Sequence, residues 1–133
     1  MNKIEDKYND YVIKTRRALH QIPEAGMQEY ETSRFIKQEL TALGVEWNAC
    51  TETGVVGVIH GRKLGKTIAL RADMDGLQVE ECNAVDYKSK NPGMMHACGH
   101  DAHMAMLLTA AQILKARQDE IHGTVKLVGY FSP

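Results

Sequence analysis

The chain has 133 residues, 44% of them hydrophobic and 25% charged, with a formal net charge of −1. That length suits one domain or part of one, and the composition is that of a globular protein with a real core. Its scattered basic residues form no stripe, which argues against nucleic-acid binding, and no apolar run approaches the ~20 residues of a membrane span.

Ile4, Tyr8, Tyr11, Val12, Leu19 and Ile22 recur at helical spacing and predict a first helix that ends at Pro23. A second helix is predicted over about Tyr30–Leu43, with Phe35, Ile36, Leu40 and Leu43 inward and Gly44 as its stop. The period then changes. Val45–Cys50, Val55–His60 and Thr67–Ala72 are aliphatic or β-branched runs between glycine-bearing turns and read as strands. Asp73 to Cys98 reads as a long polar loop, of the length that is usually functional or poorly ordered. A helix from Ala102 to about Ala116 carries apolar residues around most of its circumference, so a buried helix is expected. Thr124–Phe131 closes the chain as a buried-type strand. The fold class expected is α/β, a mixed sheet flanked by helices.

The N-terminus, MNKIEDKYND, lacks an apolar segment of secretory length, so a cytoplasmic location is expected. In a reducing compartment Cys50, Cys82 and Cys98 are expected as free thiols or ligands rather than disulfides.

His96, Cys98, His100 and His103 crowd into eight residues around Gly99 and Asp101. Residues two apart in an extended segment project to one side, so His96, Cys98 and His100 could face one point. Imidazole with thiolate suits zinc, cobalt, nickel or manganese. Helix capping and core packing are the alternative roles, and a Cys-x-His pair by itself is a weak pattern. Asp73 and Asp75 follow the strand Thr67–Ala72, and the carboxyl ends of strands are where open α/β sheets bind ligands. These carboxylates could ligate metal, orient a histidine ligand, or simply shape a turn before Gly76.

Other chemistry finds less support. Arg16, Arg17 and His20 read as surface and packing residues. No Gly-Lys-Ser/Thr follows the glycines of Thr53–Gly57, and no serine sits in a Gly-x-Ser-x-Gly elbow. Cys98 as a nucleophile needs only one histidine, and three flank it.

Four stretches, in order, resemble the N-acyl-amino-acid amidohydrolase branch of the aminoacylase and carboxypeptidase metallopeptidases: RRALHQIPE (Arg16–Glu24), TGVVGVI (Thr53–Ile59), IALRADMDGL (Ile68–Leu77) and NPGMMHACGHDAHMAMLLTAA (Asn91–Ala111). That branch includes hippurate hydrolases, auxin-conjugate hydrolases and N-acetyl-diaminopimelate deacetylases. The resemblance implies that Cys98 and His100 are metal ligands, with the thiolate able to bridge two ions. It implies that Asp73 and Asp75 lie at the active site, with Asp73 in the catalytic role. It further implies two divalent ions, manganese or zinc, a small N-acyl amino acid or peptide-like substrate, a glutamate general base, and homo-oligomer formation.

The resemblance covers the N-terminal third of such enzymes. Residues 1–133 are therefore expected to be the N-terminal portion of one catalytic domain, with no second, lid or dimerisation domain. Where the family continues Phe-Gln-Pro-Ala-Glu-Glu, this chain reads Phe131-Ser132-Pro133. Gln78 replaces a commoner proline, and Glu81–Asp86 (ECNAVD) diverges. Lack of a general base typically costs about 10²–10⁴-fold in rate, so a truncated fragment with little or no hydrolase activity is expected. A stand-alone, non-catalytic metal-binding module is the alternative.

Overall fold

The computed structural model describes residues 3–130, with side chains from residue 6 onward. Phe131, expected at the end of the last strand, and the side chain of Ile4 lie outside the described residues.

Helix α1 spans Lys3–His20, and Arg17 and His20 in its last turn complement the negative end of its dipole. Pro23 follows. Helix α2, Tyr30–Ala42, receives no cap from its own Glu29. Instead Glu24 reaches across the turn, and its carboxylate accepts the N–H groups of Glu31 at 3.0 Å and Thr32 at 2.7 Å. A carboxylate here satisfies orphan donors and faces the positive end of the helix. Ile36 and Leu40 form its buried face, while Phe35 and Leu43 are partly buried against the core.

Strands β1 (Glu46–Cys50), β2 (Gly54–His60), β3 (Lys63–Ala72) and β4 (His122–Gly129) form one mixed sheet in the order β1-β2-β4-β3. β2 pairs antiparallel with β1 and β4, and β3 pairs parallel with β4. Helix α3, His100–Ala116, supplies the crossover that a parallel pair needs, followed by a 3-10 turn at Gln118–Glu120. Val55 and Ile59 of β2 and Val125 and Leu127 of β4 alternate onto the face covered by α2 and α3. Leu40, Met104, Leu108 and Ala111 pack above them, and α1 packs on α3.

Two expectations change in detail. β3 starts at Lys63 rather than Thr67, because Lys63–Lys66 extends the strand through an irregularity in register. α3 is not buried all round: Met104, Ala105, Leu108 and Ala111 face inward, but Met106 is 54% exposed. Among the described residues, no helix is long and apolar enough to cross a membrane.

The loop from Asp73 to Gly99 is ordered. Its Leu77 and Met95 exchange backbone hydrogen bonds of 2.8 and 3.0 Å. The Gly76 N–H bonds the Glu24 carbonyl at 2.7 Å, and the Asn91 side chain bonds the Pro23 carbonyl at 2.8 Å. The turn between α1 and α2 thus anchors the segment that joins β3 to α3.

Candidate metal centre

β3 and β4 end side by side at Ala72 and Gly129, and the Tyr130 N–H continues the ladder to the Ala72 carbonyl. Directly beyond that end lie Asp73 and Asp75, and the first residue of α3, His100, meets them. His100 Nδ1 is 3.0 Å from the Asp75 carbonyl oxygen and 2.9 Å from Asp75 Oδ1. The carbonyl lies along the N–H direction. Oδ1 is close in charge but off-axis, and it has no hydrogen-bond partner of its own. A carbonyl can only accept, so Nδ1 donates to it and Nε2 is the ring nitrogen directed to a further partner.

Asp73 Oδ2 lies 4.0 Å from that Nε2, while Oδ1 accepts from Arg71 Nη2 at 2.6 Å. The Asp73 side chain is 38% exposed and that of His100 18%. Both can meet a ligand arriving from solvent.

Gly99 precedes α3 at φ +100°, in the left-handed region, and its carbonyl accepts the N–H groups of Ala102 and His103. A side chain there would be strained. This bend breaks the alternation assumed for an extended segment and separates the histidines. Contrary to the sequence expectation, His96, Cys98 and His100 do not face one point. His96 is buried beside His20, with ring centroids 6.5 Å apart, and neither of its nitrogens has a partner. Burial, reinforced by the positive fields of His20 and His100 against the opposing pull of Asp101, holds its pKa down at about 4. Cys98 is exposed and unbridged, and the His103 ring stands 6.3 Å from His100.

Among the described residues, no three His, Cys, Asp or Glu side chains are gathered closely enough to hold an ion. The donor chemistry that is present still suits part of a metal site: an accessible thiol, an imidazole with its Nε2 outward, and a half-exposed carboxylate.

Sequence reasoning missed the cluster behind this site. His20, expected as a surface or packing residue, is buried between Asp101 and Glu81, and Arg16 joins it. Its partners stand 81 and 61 residues away in sequence, so no local pattern could reveal them.

Residues 69–131 match the model of peptidase family M20/M25/M40. The chain is 50% identical to thermostable carboxypeptidase 2 of Saccharolobus solfataricus over 121 residues, covering 90% of this chain and 31% of that protein. It is 40% identical to an N-acyl-L-amino acid amidohydrolase of Geobacillus stearothermophilus over 129 residues, covering 96% of this chain and 35% of that one. A dinuclear metal-binding M20 peptidase of Bacillus subtilis superposes with a TM-score of 0.90 at 38% identity, covering 94% of this chain and 35% of the other. The chain spans about a third of the length of the curated relatives it matches.

Proposed function

Starting from a chain that is homologous to the N-terminal third of M20-family amidohydrolases and peptidases, we propose that it contributes half of a dinuclear site that hydrolyses the amide of N-acyl amino acids. Residues 1–133 are read as the N-terminal portion of one catalytic domain. Cys98 and His100 are the metal ligands, and Asp73 and Asp75 are the acidic residues of the site. Manganese or zinc is the ion proposed, and further donors and the general base come from outside these residues. A reducing, cytoplasmic setting, which is the location proposed, would keep Cys98 available as a thiol.

One observation carries the reading: the His100 ring is pinned through Nδ1 by Asp75, and its free Nε2 faces Asp73. Histidine ligands characteristically bond an oxygen through the other ring nitrogen, which fixes tautomer and direction. Asp75, with its side chain 13% exposed, acts on His100 rather than on solvent. Asp73 is more open and can ligate, or can take up a proton from the reacting group. Arg71 steadies it by ion pairing. When bound, the divalent ions polarise the scissile carbonyl and make water nucleophilic near neutral pH.

The test is hydrolysis of N-acetyl and N-benzoyl amino acids by a longer relative bearing the matching substitutions, with little or no turnover expected from this chain alone. Turnover by the relative is expected to vanish on chelation and in the counterparts of Cys98→Ser and His100→Ala. Turnover that survives chelation and both substitutions would sink the reading.

A further inference from the structure

The chemistry proposed above makes no use of the buried ion cluster behind it. His20, the last residue of α1, places Nδ1 2.7 Å from Asp101 Oδ2 and Nε2 2.9 Å from Glu81 Oε1. The ring therefore bridges two acidic side chains, one at each nitrogen. Arg16 Nε reaches the same Asp101 oxygen at 2.9 Å. Two basic side chains thus face two acidic ones in one cluster, so that neither buried carboxylate is left without a partner.

Three separate pieces of chain meet here. Arg16 and His20 come from α1, Asp101 from the first turn of α3, and Glu81 from the loop. Glu81 is fixed in turn by the Ser89 N–H at 2.6 Å and the Asn83 amide at 3.2 Å. Tyr87 meets His20 edge-on at 5.7 Å, and the guanidinium groups of Arg16 and Arg17 lie 5.4 and 4.8 Å from its ring centre. The aromatic ring and the cluster together line a cleft of about 520 Å³ that also touches Cys98 and Gly99.

Asp101 is the residue after His100, and Gly99 before it sits in the left-handed region. Glycine has a wider choice of backbone conformations than other residues, so the direction the chain takes across Gly99 depends on the contacts on either side of it. We infer that His20 is a positioning residue: gripping Asp101 and Glu81 together, it locks the first turn of α3 to the loop and so sets where Cys98 and His100 point. A buried ion cluster is weak evidence for stability alone, since apolar replacements often do as well, but it does fix one geometry. The inference rests on Cys98 and His100 being ligands.

The experiment compares the wild-type chain with His20→Gln and with Arg16→Gln, whose side chain is 35% exposed and whose loss leaves His20 covered. Amide hydrogen exchange is read without metal, and cobalt(II) is titrated while its thiolate charge-transfer absorption is followed. Expected in His20→Gln is exchange at the bonded amides of Ala102 and His103 raised about tenfold, with α2 and the sheet unchanged. Cobalt affinity should fall about 10- to 100-fold with an altered band, the usual range for loss of an outer partner. Arg16→Gln should move both readouts the same way but less, and it decides the matter if His20→Gln does not fold. Wild-type exchange at Ala102 and His103 and a wild-type cobalt band in the folded variants would overturn the role of His20. So would exchange raised uniformly over the whole fold, which marks a merely structural contact. A wild-type chain with no cobalt–thiolate band overturns the ligand assignment beneath it, a separate result.

Discussion

Asp75 holds the His100 ring through its backbone carbonyl, and its carboxylate oxygen Oδ1 adds a charge 2.9 Å from the same nitrogen without a hydrogen bond. Asp75→Asn keeps the carbonyl contact but removes the charge beside the ring. We expect divalent-metal affinity to drop about 10- to 100-fold, read by calorimetric titration, with the fold intact. Glu81 gives a second prediction. Burial pushes its carboxyl up, but the Ser89 N–H, His20 and Asn83 outweigh burial and hold its pKa at about 2 against an ordinary 4.5. The unfolded chain takes up a proton at about 4.5 while the native carboxylate does not. The stabilisation is therefore complete above about pH 4.5 and is lost as pH falls towards 2. Urea midpoints measured down this window should converge for wild type and Glu81→Gln, whereas near neutrality Glu81→Gln should cost about 3–5 kcal/mol. At this scale the sequence was only partly readable. Cys98, His100, Asp73 and Asp75 stood out because they cluster locally and resemble a family motif, and the structure brings Asp73, Asp75 and His100 together at one strand end. The His20 cluster did not stand out, because its members meet only after α1, the loop and α3 have docked.

Helices and strands were the most legible level. Apolar residues at helical spacing placed α1 and α2, and the β-branched runs placed β2 and β4, because core burial imposes those periods directly. The misses have physical causes too. The extension of β3 through Lys63–Lys66 is polar and exposed and so carries no burial signal. Met106 is apolar yet exposed on α3, so counting hydrophobic residues overstated how much of that helix is covered. The cap of α2 comes from Glu24, several residues before the helix, where no capping pattern looks. Substitution at the hinge before α3 tests the element directly. A Cβ on Gly99 would touch nothing within 4 Å, so only backbone strain opposes it. Gly99→Ala should cost about 1–2 kcal/mol by chemical denaturation.

At the scale of the whole molecule, the class of fold was legible but the strand order β1-β2-β4-β3 was not, since pairing joins segments far apart in sequence. What the order accomplishes is placement. It sets the parallel β3–β4 pair so that its carboxyl end opens beside the start of α3, and the loop pinned to Glu24 and Pro23 walls the space between. The site is thereby carried on a strand end and a helix start, both more rigid than a free loop. The central claim is that Cys98 and His100 bind a divalent ion. Its most direct test is isothermal titration of the chain with zinc and manganese, run beside Cys98→Ser and His100→Ala. The result expected is saturable binding by the wild-type chain that each substitution weakens at least tenfold. Binding of equal strength in all three proteins would contradict the account, as would none in any of them.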